Sequence, residues 1–290
     1  MESHNNSLIE QIRKDIGKTG YPTEVLTASL LDQVEWKTVL GPSYKDESSG
    51  LSREFDVRAY RQYLIAQEPQ TVTLGIYLMM ECKKSDKPWV FFTTAAEGER
   101  DSHPRAGQLV QSPPGHYGNV FWSNLAGAEP VIRNDDWQTF HHYFTSTRWA
   151  HNYYEPFKNM EKADRSVQIH TAIQSVVNAT GYYMRESTVS DQWIRVFYPV
   201  IVFDGHLFEA VVRSRDEIDI LPAQHVVHKH HFIPKPTWTN ERRIEEKTVL
   251  IDVVSAASIS EYSKMIDLES YTMFELLRIA LREGRFRLPG

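Results

Sequence analysis

The run from Val72 to Met80, which ends in Glu81-Cys82-Lys83, constrains the fold of this chain more than any other stretch. It alternates too little to have a wet face and is too short to cross a membrane, so it predicts a strand buried on both sides. A carboxylate and an ammonium at the end of such a strand are costly to bury unless they pair or bind something. Side chains two apart share a face, which sets Glu81 and Lys83 together and turns Cys82 away. Upstream, in Arg53-Glu54-Phe55-Asp56-Val57-Arg58-Ala59, the apolar Phe55, Val57 and Ala59 alternate with polar positions. Asp56 is therefore expected to project from one face of a neighbouring strand. Two carboxylates and a lysine at the ends of adjacent strands suit a hard divalent cation, with the lysine beside an attacking water or a phosphate.

Asp56 and Glu81-Cys82-Lys83, with Glu24 on a preceding helix, resemble the motif of the PD-(D/E)XK, restriction-endonuclease-like nuclease superfamily. Gly20-Tyr21-Pro22-Thr23-Glu24 opening a helix, Trp36 after it, and Tyr44 and Asp46 before the Arg-Glu-Phe-Asp-Val stretch extend the likeness over residues 20–93. Phe55 stands where the family has a proline before its first acid. The resemblance implies an α/β fold with a mixed sheet and an αβββαβ core over 20–93 and 166–255. An irregular, aromatic-rich insertion at about 95–163 and C-terminal helices at 258–284 complete one nuclease-like domain spanning 1–290. It further implies a phosphodiester hydrolase dependent on Mg²⁺ or Mn²⁺, most directly a DNA endonuclease in defence or DNA processing. Asp56, Glu81 and the backbone carbonyl of Cys82 would hold the metal, Glu24 would hold a second ion or align water, and Lys83 would orient or help deprotonate the attacking water, or neutralise charge on the phosphate. DNA is the implied partner, with a homodimer or a partner protein supplying specificity. An RNA-cleaving nuclease, or a nuclease-fold module that binds without cutting, are the other readings.

Glu24, Ala28 and Leu31 share a side of the helix expected over Thr23–Gln33, with Val25, Leu26, Leu30 and Val34 as further apolar positions. An acid in the first helical turn is also favoured by the helix dipole and the preceding proline. A net charge of −6 argues against strong sequence-independent binding to nucleic acid, although bound cations or a local basic strip offset it. Arg278, Arg282, Arg285 and Arg287 could supply that strip, or simply suit a helix C-terminus. The sole cysteine, Cys82, excludes an intrachain disulfide and reads as a plain buried thiol. The N-terminus shows no secretion signal and no apolar stretch approaches membrane length, so the expected compartment is the cytoplasm and no membrane partner is expected.

The remaining pattern predicts a short helix capped by Ser7, a strand at Lys37–Leu40, a second at Leu51–Tyr60 and a third at Val72–Lys83. Trp89–Thr94 is expected as an extra strand, and the aromatics of 95–163 as packing over the sheet or as a stacking platform for bases. A crossover helix is expected over Ser166–Tyr183, ended by Gly181. Ile194–Phe203 and Leu207–Val212 read as a hairpin turned by Asp204-Gly205-His206. A strand at Val249–Val254 then leads to separate helices from Ser258 and from Tyr271. The His225–His231 stretch reads as an exposed strand or loop, or as a zinc site through His225 and His228 with a third ligand. His141-His142 is a weaker candidate of the same kind.

Overall fold

The computed structural model describes residues 2–46, 49–67, 70–95, 109–111, 140–156, 167–186, 193–232 and 247–283. Its elements are α1 (Glu2–Ile16), α2 (Tyr21–Gln33), β1 (Lys37–Leu40), β2 (Ser43–Lys45), β3 (Ser52–Glu54), β4 (Val57–Gln67), β5 (Gln70–Lys84), β6 (Trp89–Ala95) and β7 (Leu109–Gln111). They continue as α3 (His142–Thr145), β8 (Arg148–Tyr154), α4 (Val167–Glu186), β9 (Trp193–Asp204), β10 (Leu207–Ser214), β11 (Glu217–Pro222), β12 (His225–Phe232), β13 (Lys247–Ser255) and α5 (Ile259–Arg282). The class is mixed α/β. Among the described residues no helix is long and apolar enough to cross a membrane.

Eleven of the described strands form one mixed sheet in the order β1-β4-β5-β9-β13-β12-β8-β6-β10-β11, with β7 beside the first part of β9. β1, β4 and β5 are an antiparallel meander, in which Val57 lies opposite Met80 and Gln67 opposite Gln70. β9 then pairs parallel with β5, Glu81 opposite Ile201 and Lys83 opposite Phe203. The β5–β9 pair is thus covered on both sides, as the continuous apolar run requires. One face, with Leu78, Met80 and Cys82, packs on α2 and α5. The other, with Met79, Ile201 and Phe203, packs on α4 through Ile169, Ile173, Val176 and Val177. Each of those four helix side chains contributes about 1.5–3 kcal/mol relative to exposure.

Gly205 and His206 alone separate β9 from β10, yet β13, β12, β8 and β6 lie between these strands in the sheet. A flat sheet would hold them about 24 Å apart, while three peptide steps reach at most about 11 Å. The sheet therefore curls back on itself. α4 fills the concave side, where residues of β5, β6, β8, β9, β10, β12 and β13 meet it in one apolar cluster.

Several expectations are corrected. β9 and β10 are not a hairpin: β10 pairs parallel with β6 and antiparallel with β11. Gly205 lacks the positive φ of a tight hairpin turn. It is small because a Cβ there would sit 2.6 Å from the Ser85 carbonyl oxygen and 2.5 Å from Phe203 Cζ. The expected second strand is two strands: β3 pairs with β2, and β4 begins only at Val57, so Asp56 lies in the bend between them. α1 starts at Glu2, which places Ser7 inside the helix rather than at its cap. Val25 and Leu26 are exposed because α2 turns the smaller Thr23, Thr27 and Ala28, with Leu31, towards the sheet. α4 runs through Gly181 to Glu186, and α5 is one helix, since neither glycine nor proline interrupts 259–282.

Within the segment expected as an insertion, β8 is hydrogen-bonded between β12 and β6, and Tyr143 and Trp149 are core side chains. Their aromatic character serves packing. Trp122 and Trp137 lie outside the described residues.

Candidate catalytic site

Glu81 and Lys83 point from β5 towards α4, as strand alternation requires, and Cys82 points the other way into the core. Asp56 reaches them from the bend before β4. That bend is held by Gly41 N–H donating to the Asp56 carbonyl at 2.9 Å and Phe55 N–H donating to Pro42 at 3.2 Å. Asp56 Oδ2 in turn accepts the Cys82 N–H at 2.6 Å. Lys83 Nζ donates to Glu81 Oε1 and lies 3.9 Å from Asp56 Oδ2. Ser175 on α4 donates to the second Glu81 oxygen at 2.8 Å. Sequence reasoning missed Ser175; the available signal was a polar residue on the buried side of α4, between Ile173 and Val176.

Glu24 joins this group from the first turn of α2. Thr23 Oγ1 donates to Asp204 Oδ2 at 3.1 Å, and Lys84 Nζ lies 3.3 Å from the same oxygen, so the ends of β5 and β9 anchor that turn. Burial, then the Asp56 charge, raises the Glu24 carboxyl above its ordinary pKa, against the pull of Lys83. Burial likewise raises Glu81, with Lys83 opposing and Asp56 reinforcing the shift. Asp56 is raised by burial against Lys83 and the Cys82 N–H. Burial alone would lower the Lys83 ammonium, but Glu81 and Asp56 together outweigh it. Three carboxylates thus share one ammonium. The side chains of Asp56 and Lys83 are each 21% exposed and that of Glu81 8%, so the group opens to solvent on one side.

The oxygen-rich, charge-deficient donor set fits a hard divalent ion. Asp56 Oδ1 has no protein partner among the described residues. The Cys82 carbonyl, expected as a ligand, accepts from Lys83 Nζ at 3.2 Å.

A second polar centre lies across the sheet, between β13 and α5. His142 Nδ1 contacts both Glu269 oxygens, at 2.9 and 3.0 Å, and His142 Nε2 is 3.0 Å from Asp252 Oδ1. His225 Nε2 is 2.7 Å from the same Asp252 oxygen. Tyr143 and Tyr262 each donate to Asp252 Oδ2 at 2.8 Å. Asp252 stands in an otherwise apolar strand, Val249-Leu250-Ile251-Asp252-Val253-Val254, which was its signal; nothing local marks Glu269.

The His225–His231 stretch is not the exposed strand or loop expected, since β12 lies inside the sheet with Val226, Val227, His228 and Lys229 buried, and the alternative pairing of His225 with His228 is not made either. Three residues apart on β12, they face opposite sides: His228 donates from Nδ1 to the Ala150 carbonyl at 3.1 Å, within the α4 cluster. Arg278 is paired at the surface with Glu275, at 2.6 Å, and Arg285 and Arg287 lie outside the described residues.

No family model, curated protein or solved structure matches this chain.

Proposed function

We propose that this protein is a divalent-metal-dependent phosphodiester hydrolase acting on DNA, with a PD-(D/E)XK-type centre at Asp56, Glu81 and Lys83. The carrying observation is that Lys83 Nζ contacts Glu81, on its own strand, and lies 3.9 Å from Asp56, which reaches it from the bend before β4. The succession α2, β1, β4, β5, α4, β9 supports the reading. With β2 and β3 inserted before β4, and β6, β7, α3 and β8 inserted before α4, these elements run helix–strand–strand–strand–helix–strand, with the four strands adjacent in the sheet and the two helices on opposite faces, the order the resemblance implies.

Asp56 and Glu81, with the Cys82 carbonyl, would hold Mg²⁺ or Mn²⁺, and Glu24 would bind a second ion or align water. The metal, when bound, supplies Lewis acidity and lowers the pKa of a bound water. Ser175 fixes Glu81 so that its carboxylate does not rotate away. Lys83 holds a positive charge where the attacking water or the phosphate would sit, and its raised pKa keeps it protonated there.

Incubating the protein with plasmid, linear duplex, single-stranded DNA and RNA, with Mg²⁺, Mn²⁺ or EDTA, tests this. Metal-dependent DNA cleavage is expected. Lys83→Ala should lower it about a hundredfold, the loss of about 3 kcal/mol of transition-state stabilisation. Lys84→Ala should change it little, because its partly exposed pair with Asp204 is worth little. Cleavage insensitive to EDTA, or equal in wild type and Lys83→Ala, would remove this site from the chemistry. Cleavage of RNA alone would reassign the substrate.

A further inference from the structure

The catalytic reading leaves the His142–Asp252 centre unused, and its atoms are arranged for more than packing. We propose that His142 Nε2, His225 Nε2 and Asp252 Oδ1 form a second metal site, for a late first-row divalent ion of the zinc type. The proposal does not rest on the nuclease reading. Asp252 faces α5 with its strand neighbours Leu250 and Val254, on the opposite side of the sheet from Glu81.

Convergence is the first argument. The histidine nitrogens lie 3.0 and 2.7 Å from one carboxylate oxygen, and the three potential ligand atoms are all within 4.8 Å of one another. They arrive from α3, β12 and β13, so one ion would tie together segments far apart in the chain.

The atoms behind the ligands are held as a metal site needs. A ligating histidine ordinarily donates its other ring N–H to a carboxylate, which fixes its tautomer and orientation. Here His142 Nδ1 meets Glu269, whose Oε1 also accepts the His142 backbone N–H at 2.6 Å. Asp252 keeps Oδ1 for the ion because Tyr143 and Tyr262 occupy Oδ2.

Charge is the third argument. Asp252 is 0% exposed and Glu269 2%, and buried carboxylates need compensating charge. One imidazolium at His142 balances one of them. A divalent ion with neutral imidazoles balances both, its bonds replacing the protons that the two Nε2 atoms otherwise share with Asp252. Two nitrogens and one oxygen suit Zn²⁺, Co²⁺ or Ni²⁺ better than Mg²⁺. The His225 side chain, 26% exposed, is the side from which an ion and a fourth ligand enter.

Cobalt titration tests the proposal. The Asp56→Asn variant, used to disable the catalytic carboxylates, is stripped with EDTA and titrated with Co²⁺, then with Zn²⁺. One equivalent of Co²⁺ with visible d–d absorption, displaced by Zn²⁺, is the expected result. Adding His225→Ala should weaken binding about a hundredfold or more, while the fold survives because this side chain, at the first residue of β12, is partly exposed. His225→Cys should restore binding with a sulfur-to-cobalt charge-transfer band, and His231→Ala should leave it unchanged. Absence of saturable binding in folded protein would show that protons alone neutralise the centre and overturn the proposal. So would equal binding after His225→Ala.

Discussion

His228 shows how one side chain's surroundings set a property of the whole protein. It is buried against Phe91 and Tyr153, and burial, reinforced by the neighbouring His230, His151 and His231, pushes its pKa down to about 3. In the unfolded chain it titrates near 6.5. A histidine with a depressed folded pKa contributes stability that is fully present above the unfolded value and is lost as pH falls towards the folded one. Between pH 7 and 5 this loss is about 2 kcal/mol. Urea denaturation of His228→Phe at both pH values should give a slope shallower by about one proton; an unchanged slope would place the titration elsewhere. At this scale the catalytic candidates were legible, because Glu81 and Lys83 lie within one strand and period-2 alternation fixes their side. The centre of His142, Asp252 and Glu269 was not: His142 stood out only as half of a histidine pair and Asp252 only as a lone acid in an apolar strand, and their contacts join residues 110 and 127 apart in the chain.

Elements were legible where periodicity is local and failed where a partner had to be chosen. β1, β5 and the span of α2 needed only patterning and turns, whereas the break between β3 and β4 and the buried face of α2 did not follow from them. The Asp204-Gly205 signal marked a real change of direction but named the wrong neighbour, because a glycine can serve close approach as well as a positive φ. Substitution separates the two uses. In a type I′ turn Asn replaces Gly at small cost; here Asn at 205 would meet the Ser85 carbonyl and the Phe203 ring. Gly205→Ala should destabilise by about 1–3 kcal/mol and Gly205→Asn by more. Chemical denaturation reads both, and an Asn variant as stable as wild type would restore the hairpin.

For the whole molecule, the curled sheet was hidden because strand order follows from long-range pairings, such as β6 with β10, that no local pattern encodes. What the sequence suggested of α1 was its periodicity, not its place. Leu8, Ile9, Ile12 and Ile16 recur at helical spacing, yet all are exposed, and neither apolar cluster contains them. A helix that buries no apolar face adds little to global stability, because an isolated helix of this length is marginal in water. α2 is the opposite case: it buries Thr23, Thr27, Ala28 and Leu31 and carries Glu24 to the carboxylate group. A chain starting at Thr19 should therefore melt within about 2 °C of the full chain and show whatever metal-dependent cleavage the full chain shows under the proposed function. Extending the deletion through Gln33 should remove a wall of the core, and with it both cooperative melting and activity. Thermal scans and cleavage assays on the two truncations decide the matter. If the shorter deletion alone unfolds the protein, α1 belongs to the core and its exposed apolar positions are covered in solution.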